Sequence, residues 1–255
     1  MKQTERRTET IYRPIPLLLG AFFVTWLCAI LMAAINYSAH PLLFSVLDFL
    51  ENASPLIFTL LLLQKPLLSL TSLKQFLCGG KTHPARYLVV FVLFAAQFLN
   101  FYCFYSAETF CSPPTFLTVF TGQFFLGGGL EEAGWRGYLL PCFSRKWHIL
   151  PASTAVSLIW VVWHLPYFLL PGNLQSGQNF FSYTLIGIVT GFILTAIYLL
   201  TKSVLLCMLF HSWQNTLVMT IPADTGSPWF MLTFLALGTA SALLCLTLCR
   251  PDKND

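Results

Sequence analysis

Eight mostly apolar stretches of about twenty residues follow one another along this chain, separated by short polar connections. A helix of that length crosses the hydrocarbon of a bilayer while satisfying its own backbone N–H and C=O groups, as lipid requires. The stretches are Ile15 to Ile35, Pro41 to Leu63, Tyr87 to Ser106, Thr115 to Leu140, Leu150 to Leu170, Phe180 to Thr201, Ser203 to Ile221 and Pro228 to Cys249. The second is ambiguous, because Asp48, Glu51 and Asn52 interrupt it. The alternative is a shorter helix starting near Ala53 behind an interfacial segment, with seven spans as the fallback. The first begins after Lys2, Arg6, Arg7 and Arg13 in the manner of a signal peptide, but its apolar stretch has the length of a span.

Only 9% of the 255 residues are charged, against about a quarter in soluble domains. Too few charges remain to clothe a water-facing shell, which excludes a soluble domain, a disordered chain, a basic nucleic-acid-binding domain and a secreted disulfide scaffold. Of the eight cysteines, Cys28, Cys103, Cys142, Cys207, Cys245 and Cys249 lie within or at the ends of apolar runs, and there is no CxxC pair. They read as small packing residues.

Lys and Arg mark cytoplasmic connections. Lys2, Arg6, Arg7 and Arg13 precede the first span; Lys65, Lys74, Lys81 and Arg86 follow the second; Arg145 and Lys146 follow the fourth; Lys202 follows the sixth; Arg250 and Lys253 end the chain. The alternate connections have none. The expectation is an all-α, polytopic membrane bundle of about eight transmembrane helices with both termini cytoplasmic, forming a single integral-membrane domain over residues 1–255. The connection from Lys65 to Arg86 is the longest on the cytoplasmic side and reads as an interfacial linker.

With the second span set aside, three fully charged side chains remain at membrane depth: Glu131, Glu132 and Arg136 on the fourth span. Such charges are costly unless paired or hydrated, so they mark a functional site. Glu132 and Arg136, four residues apart, share a helix face and can pair. Glu131 is turned away by about 100° and stays available as a general base. The preceding Gly127-Gly128-Gly129 permits close helix approach or a local break. On the fifth span Trp160 and His164 are four apart, with Pro166 loosening the backbone beyond them. On the seventh, His211 and Asn215 share a face. At 1.5 Å per residue, Glu131, His164, His211 and Asn215 lie roughly 13 to 22 Å from the cytoplasmic ends of their helices, so all four can meet near mid-membrane. A lone His or Asn in such a helix is often interhelical glue, but five polar groups at converging depths argue for a site.

Glu131-Glu132-x-x-x-Arg136, Trp160-x-x-x-His164 and His211-x-x-x-Asn215, in that order on three spans, resemble the three motifs of the CAAX protease and bacteriocin-processing (CPBP, or Abi) family, which includes type II CAAX prenyl endopeptidases of the Ras-converting-enzyme type. The likeness covers about residues 122–220. One departure is Trp160, where many members carry Phe. The resemblance implies an eight-helix intramembrane endopeptidase in which Glu131 and His164 activate water and His211 and Asn215 stabilise the oxyanion, with Glu132, Arg136 and Trp160 in structural roles. Its substrate would be a membrane-anchored or lipidated peptide or protein, such as a CAAX tail or a bacteriocin or pheromone precursor. Its surroundings would be membrane lipid, with no nucleic-acid partner; in a bacterium it would sit in the plasma membrane.

Members of that family are often labelled metalloproteases, and Glu131, His164 and His211 could make a His-His-Glu zinc site with one open position. There is no HExxH, and Asn215 and the second carboxylate have clearer uses without metal, so the expectation is a reaction with no cofactor. A serine mechanism lacks a Gly-x-Ser-Gly element, and an aspartyl one lacks an Asp in a clear span. The competing class is a non-proteolytic immunity or scaffold protein, or a small proton-coupled transporter, that keeps the motifs.

Overall fold

The computed structural model describes residues 13–35, 38–63, 69–105, 111–170 and 174–249. Lys2, Arg6, Arg7, Lys65, Arg250 and Lys253, used above for orientation, lie outside them. Twelve α-helices run in order among the described residues: α1 Pro14–Ala34, α2 Pro41–Leu62, α3 Leu70–Cys78, α4 Pro84–Cys103, α5 Pro113–Leu126, α6 Gly128–Gly134, α7 Leu140–Ser144, α8 Ile149–Trp163, α9 Leu165–Leu169, α10 Phe180–Thr201, α11 Val204–Thr220 and α12 Pro228–Leu248. A π-helical turn, Trp135–Leu139, joins α6 to α7, and a short 3-10 turn, Leu174–Gly177, follows α9.

Six helices are long and apolar enough to span: α1, α2, α4, α8 with α9, α10 and α12. The two remaining apolar stretches fall short of that measure in helix length. One is broken at Gly127, and the other, α11, is 17 residues long. The outer surface is apolar: Leu19, Phe23 and Phe91 are each 68% exposed. Such a surface is tolerated where the solvent is lipid.

The second stretch is one continuous helix rather than a short one from Ala53, and this corrects the reading that only the fourth span carries charge at depth. Glu51 lies near the middle of α2 and is 2% exposed; Asp48 lies one turn before it. Pro55 within α2 has no N–H, so the Glu51 carbonyl loses its helical donor. The Thr25 hydroxyl of α1 supplies a replacement at 3.1 Å and also lies 2.9 Å from Ser54 Oγ. The helix therefore continues through a residue that would otherwise break it.

Lipid provides no hydrophobic drive between helices, so close approach at small residues holds such bundles together. α8 meets α10 where Ser153 Oγ bonds Gly191 O and Thr195 Oγ1, and where Gly191 leaves no room for a Cβ beside Ser157. α2 meets α6 where the Pro55 ring occupies the space a side chain at Gly134 would need. The main core joins Trp135, Trp163, Ile193, Leu194, Ile197 and Phe210.

Contacts also gather the basic connections at one end. Arg13 N bonds the Tyr138 hydroxyl, Ser203 Oγ bonds Leu77 O, and Arg86 Nη1 bonds Leu200 O. At the other end, Asp224 N bonds Phe104 O beside a bridge between Tyr105 and Ala223. The connection expected to be a linker contains α3, whose N-terminus is capped by Ser69.

Candidate active site

Gly127 ends α5, and α6 restarts at Gly128 with its backbone against α11. A Cβ at Gly128 would overlap the His211 ring. The absence of side chains at this break lets α11 approach closely enough for His211 to reach the carboxylates. After α6 the helix widens to π spacing, and Leu140 N–H returns to Trp135 O, five residues back. Pro141 follows, lacking a donor and crowding the carbonyl four residues earlier. π turns of this kind re-aim side chains and recur at functional sites.

Glu131 and Glu132 both sit on α6 and are 2% and 0% exposed. Glu131 Oε2 accepts from two indoles, Trp160 Nε1 at 2.6 Å and Trp135 Nε1 at 3.3 Å. Glu132 faces elsewhere: Arg136 Nη1 donates to its two oxygens at 2.9 and 3.1 Å, and His211 Nδ1 lies 2.8 Å from Oε1. A carboxylate accepts, so the His211 proton on that side is on Nδ1. Glu132 is thus paired with the Arg136 guanidinium and hydrogen-bonded by His211, the condition under which a buried carboxylate is tolerable.

His164 occupies the junction of α8 and α9 with φ −81° and ψ −3°, a sparsely populated region where active-site residues often sit. Its Nδ1 is 2.9 Å from the Trp160 carbonyl, which can only accept. The proton is thus on Nδ1, and Nε2 carries a lone pair. Aromatic rings enclose the imidazole, with centroids 4.4 Å away for Trp160, 4.7 Å for Trp163, 5.6 Å for Tyr167 and 5.8 Å for Tyr183. The Trp160 ring also lies 5.6 Å from His211.

Six of the seven sequence-derived residues meet: Trp160 bonds Glu131 and His164, Glu132 bonds Arg136 and His211, and the His211 and Trp160 rings join the halves. Asn215, one turn beyond His211, is half-buried, and no hydrogen bond ties it to these groups. Three residues at the site were not singled out by sequence. Trp135 had the i+4 spacing to Glu131 as a signal; Tyr183 had none. Glu51 carried charge in an apolar run, the same signal that marked the fourth span.

The sequence also allowed a zinc site from Glu131, His164 and His211. Among the described residues no three His, Cys, Asp or Glu side chains are gathered to hold a metal. Glu131 Oε2 is occupied by two indoles, His211 Nδ1 by Glu132 and His164 Nδ1 by the Trp160 carbonyl, so the atoms left open are Glu131 Oε1 and the two Nε2 atoms.

No curated protein matches the chain. A family model described as type II CAAX prenyl endopeptidase Rce1-like matches residues 113–217. That segment runs from the first residue of α5 into α11 and contains every side chain placed around Trp160 and Glu132. Over those residues the chain is similar to the Rce1-like family, and the match supports an Rce1-like reading of this segment.

Proposed function

We propose that this protein is an intramembrane endopeptidase that hydrolyses a peptide bond in a membrane-associated or lipidated peptide, using a water activated between Glu131 and His164 and no metal. The observation that carries this reading is Trp160, whose side-chain N–H holds Glu131 and whose backbone carbonyl holds His164. One residue orients a carboxylate and an imidazole bearing a free Nε2 lone pair, the pairing that general-base catalysis needs.

In this reaction water attacks the peptide carbonyl carbon and its proton passes to Glu131. The carbonyl oxygen becomes an oxyanion that accepts from His211 Nε2–H and the open amide of Asn215. The carbon–nitrogen bond then breaks, and the proton, carried by Glu131 and His164, goes to the leaving amine. Glu132 serves as counter-charge to Arg136 and His211 and touches no reacting atom.

An open apolar groove of about 570 Å³ runs along α1 past Leu18, Phe22, Trp26 and Ile159 of α8. Trp26 Nε1 donates to Trp163 O, next to His164. The groove thus ends beside the site, which supports a substrate with a lipid chain or an apolar helix. The cytoplasmic location of both termini and of the basic end belongs to the same proposal and follows from the charge pattern.

Glu131→Gln keeps the size and burial of the side chain and removes the base. The expected result is loss of hydrolysis by about a thousandfold, within the range of one general base, together with accumulation of uncut precursor in cells and normal insertion. A phenotype retained by Glu131→Gln would instead identify a scaffold or immunity protein. Activity of the purified enzyme should survive chelation; stoichiometric zinc whose removal abolishes hydrolysis would overturn the metal-free mechanism.

A further inference from the structure

Glu51 has no role in the chemistry above, yet it is 2% exposed inside α2 with Oε2 unpartnered. The Pro55–Gly134 contact fixes α2 against α6. One turn earlier on each helix stand Glu51 and Glu131, within electrostatic reach of each other. Glu51 also lies against Tyr167, whose buried hydroxyl approaches its carboxylate and has no other hydrogen-bond partner among the described residues. The Tyr167 ring lies 5.6 Å from that of His164. Asp48, one turn nearer the start of α2, is half-buried and accepts from the Asn52 amide, extending the acidic wall outward.

A buried carboxylate is costly unless it is paired or holds a proton. The buried guanidinium near the site is already taken, since Arg136 pairs with Glu132, and the His211 ring is bonded to the same carboxylate. Among the described residues no Lys, Arg or His forms an ion pair with Glu51. A proton on Glu51 therefore keeps the site neutral, with its carboxyl and the Tyr167 hydroxyl facing each other and no cation of the described residues paired with them.

We propose that Glu51 and Tyr167 form a recognition subsite for a cationic group of the substrate, an ammonium or guanidinium borne on the peptide near the bond that is cut. The arriving cation replaces the proton on Glu51, which leaves to solvent, and donates to Glu51 Oε2 and the Tyr167 hydroxyl oxygen. The subsite determines specificity; Glu131 and His164 perform the reaction. It rests on the peptide-hydrolysis reading, because a peptide must lie between Glu131 and His164 for its side chain to reach Glu51.

The test uses the full chain in nanodiscs carrying Glu131→Gln, so that bound peptide persists. The probes are acylated hexapeptides with lysine at one position at a time, each paired with its norleucine counterpart, and binding is read by fluorescence of the tryptophans around His164. At least one lysine peptide should bind about tenfold tighter than its counterpart, the scale of one charge-assisted contact. Adding Glu51→Gln should abolish the difference, and Tyr167→Phe, which keeps the ring and thus the packing, should reduce it severalfold. Equal binding of every pair, or a preference that survives both substitutions, overturns the proposal. Hydrolysis by the unsubstituted protein is measured in parallel: discrimination in binding without cleavage upholds the subsite and refutes the peptidase.

Discussion

The indole N–H of Trp160 donates to Glu131 Oε2 at 2.6 Å, from a residue 29 positions further along the chain. Trp135 adds a weaker bond at 3.3 Å to the same oxygen. The carboxylate is thereby held at one atom, and neither indole bonds Oε1.

Trp160→Phe should preserve the ring beside His164 and remove the stronger of the two donors. A hydrogen bond to a charged group is worth about 1.5–3 kcal/mol, so kcat/KM should fall by about tenfold or more with thermal stability little changed. Trp135→Phe should cost less, and the double substitution more than either. Steady-state hydrolysis of a fluorogenic membrane peptide decides it; an unchanged rate in the double variant removes Trp160 from the mechanism.

Arg136→Met strands Glu132 as a buried charge with only His211 to meet it. Breaking such a pair costs about 3–5 kcal/mol, which should appear as a large drop in the unfolding midpoint in detergent. Adding Glu132→Leu should recover much of that stability while leaving the enzyme inactive, because His211 then lacks its carboxylate. If Arg136→Met alone were neutral, the pair would not be bracing the site.

Gly128→Ala places a methyl group where the His211 imidazole now lies. His211 is tied to Glu132 and cannot yield without breaking that bond. The variant should insert normally and lose hydrolysis by about a hundredfold, the scale of a displaced oxyanion donor. Comparison with His211→Ala in the same assay checks the cause, since the two losses should not add.

Thr25→Val removes the donor that serves the Glu51 carbonyl. Leaving that acceptor unsatisfied costs about 1–3 kcal/mol, visible as a lowered unfolding midpoint. Pro55→Ala restores the backbone N–H that position lacks, so Thr25→Val should cost less in a Pro55→Ala background than in the native one. Equal penalties in both backgrounds would show that the hydroxyl does not stand in for the missing helical bond.

Helix-forming stretches and the five polar motif residues were legible along the chain because both depend on local properties. Apolar length reports a span, and i to i+4 spacing reports a shared face, so the Glu132–Arg136 pair could be expected from four residues of sequence. The Gly127 break was likewise legible as a run of three glycines. Glu51 was not, because the same charges that place it at the site made its stretch look interfacial. The Thr25 hydroxyl that repairs the helix at Pro55 belongs to another helix.

What the amino-acid sequence determined by itself is therefore the lipid solvent, the helical elements and the small set of ionisable groups that cannot be cheap in that solvent. Only tertiary structure decided which partner each group takes: Trp160 for Glu131 and His164, Glu132 for His211, and no cation among the described residues for Glu51. The physical reason is that helical periodicity says which residues share a face but not which neighbouring helix that face will meet. Here that meeting is set by contacts at Gly128, Gly134 and Gly191, where missing side chains let backbones close and bring distant polar atoms within hydrogen-bond reach.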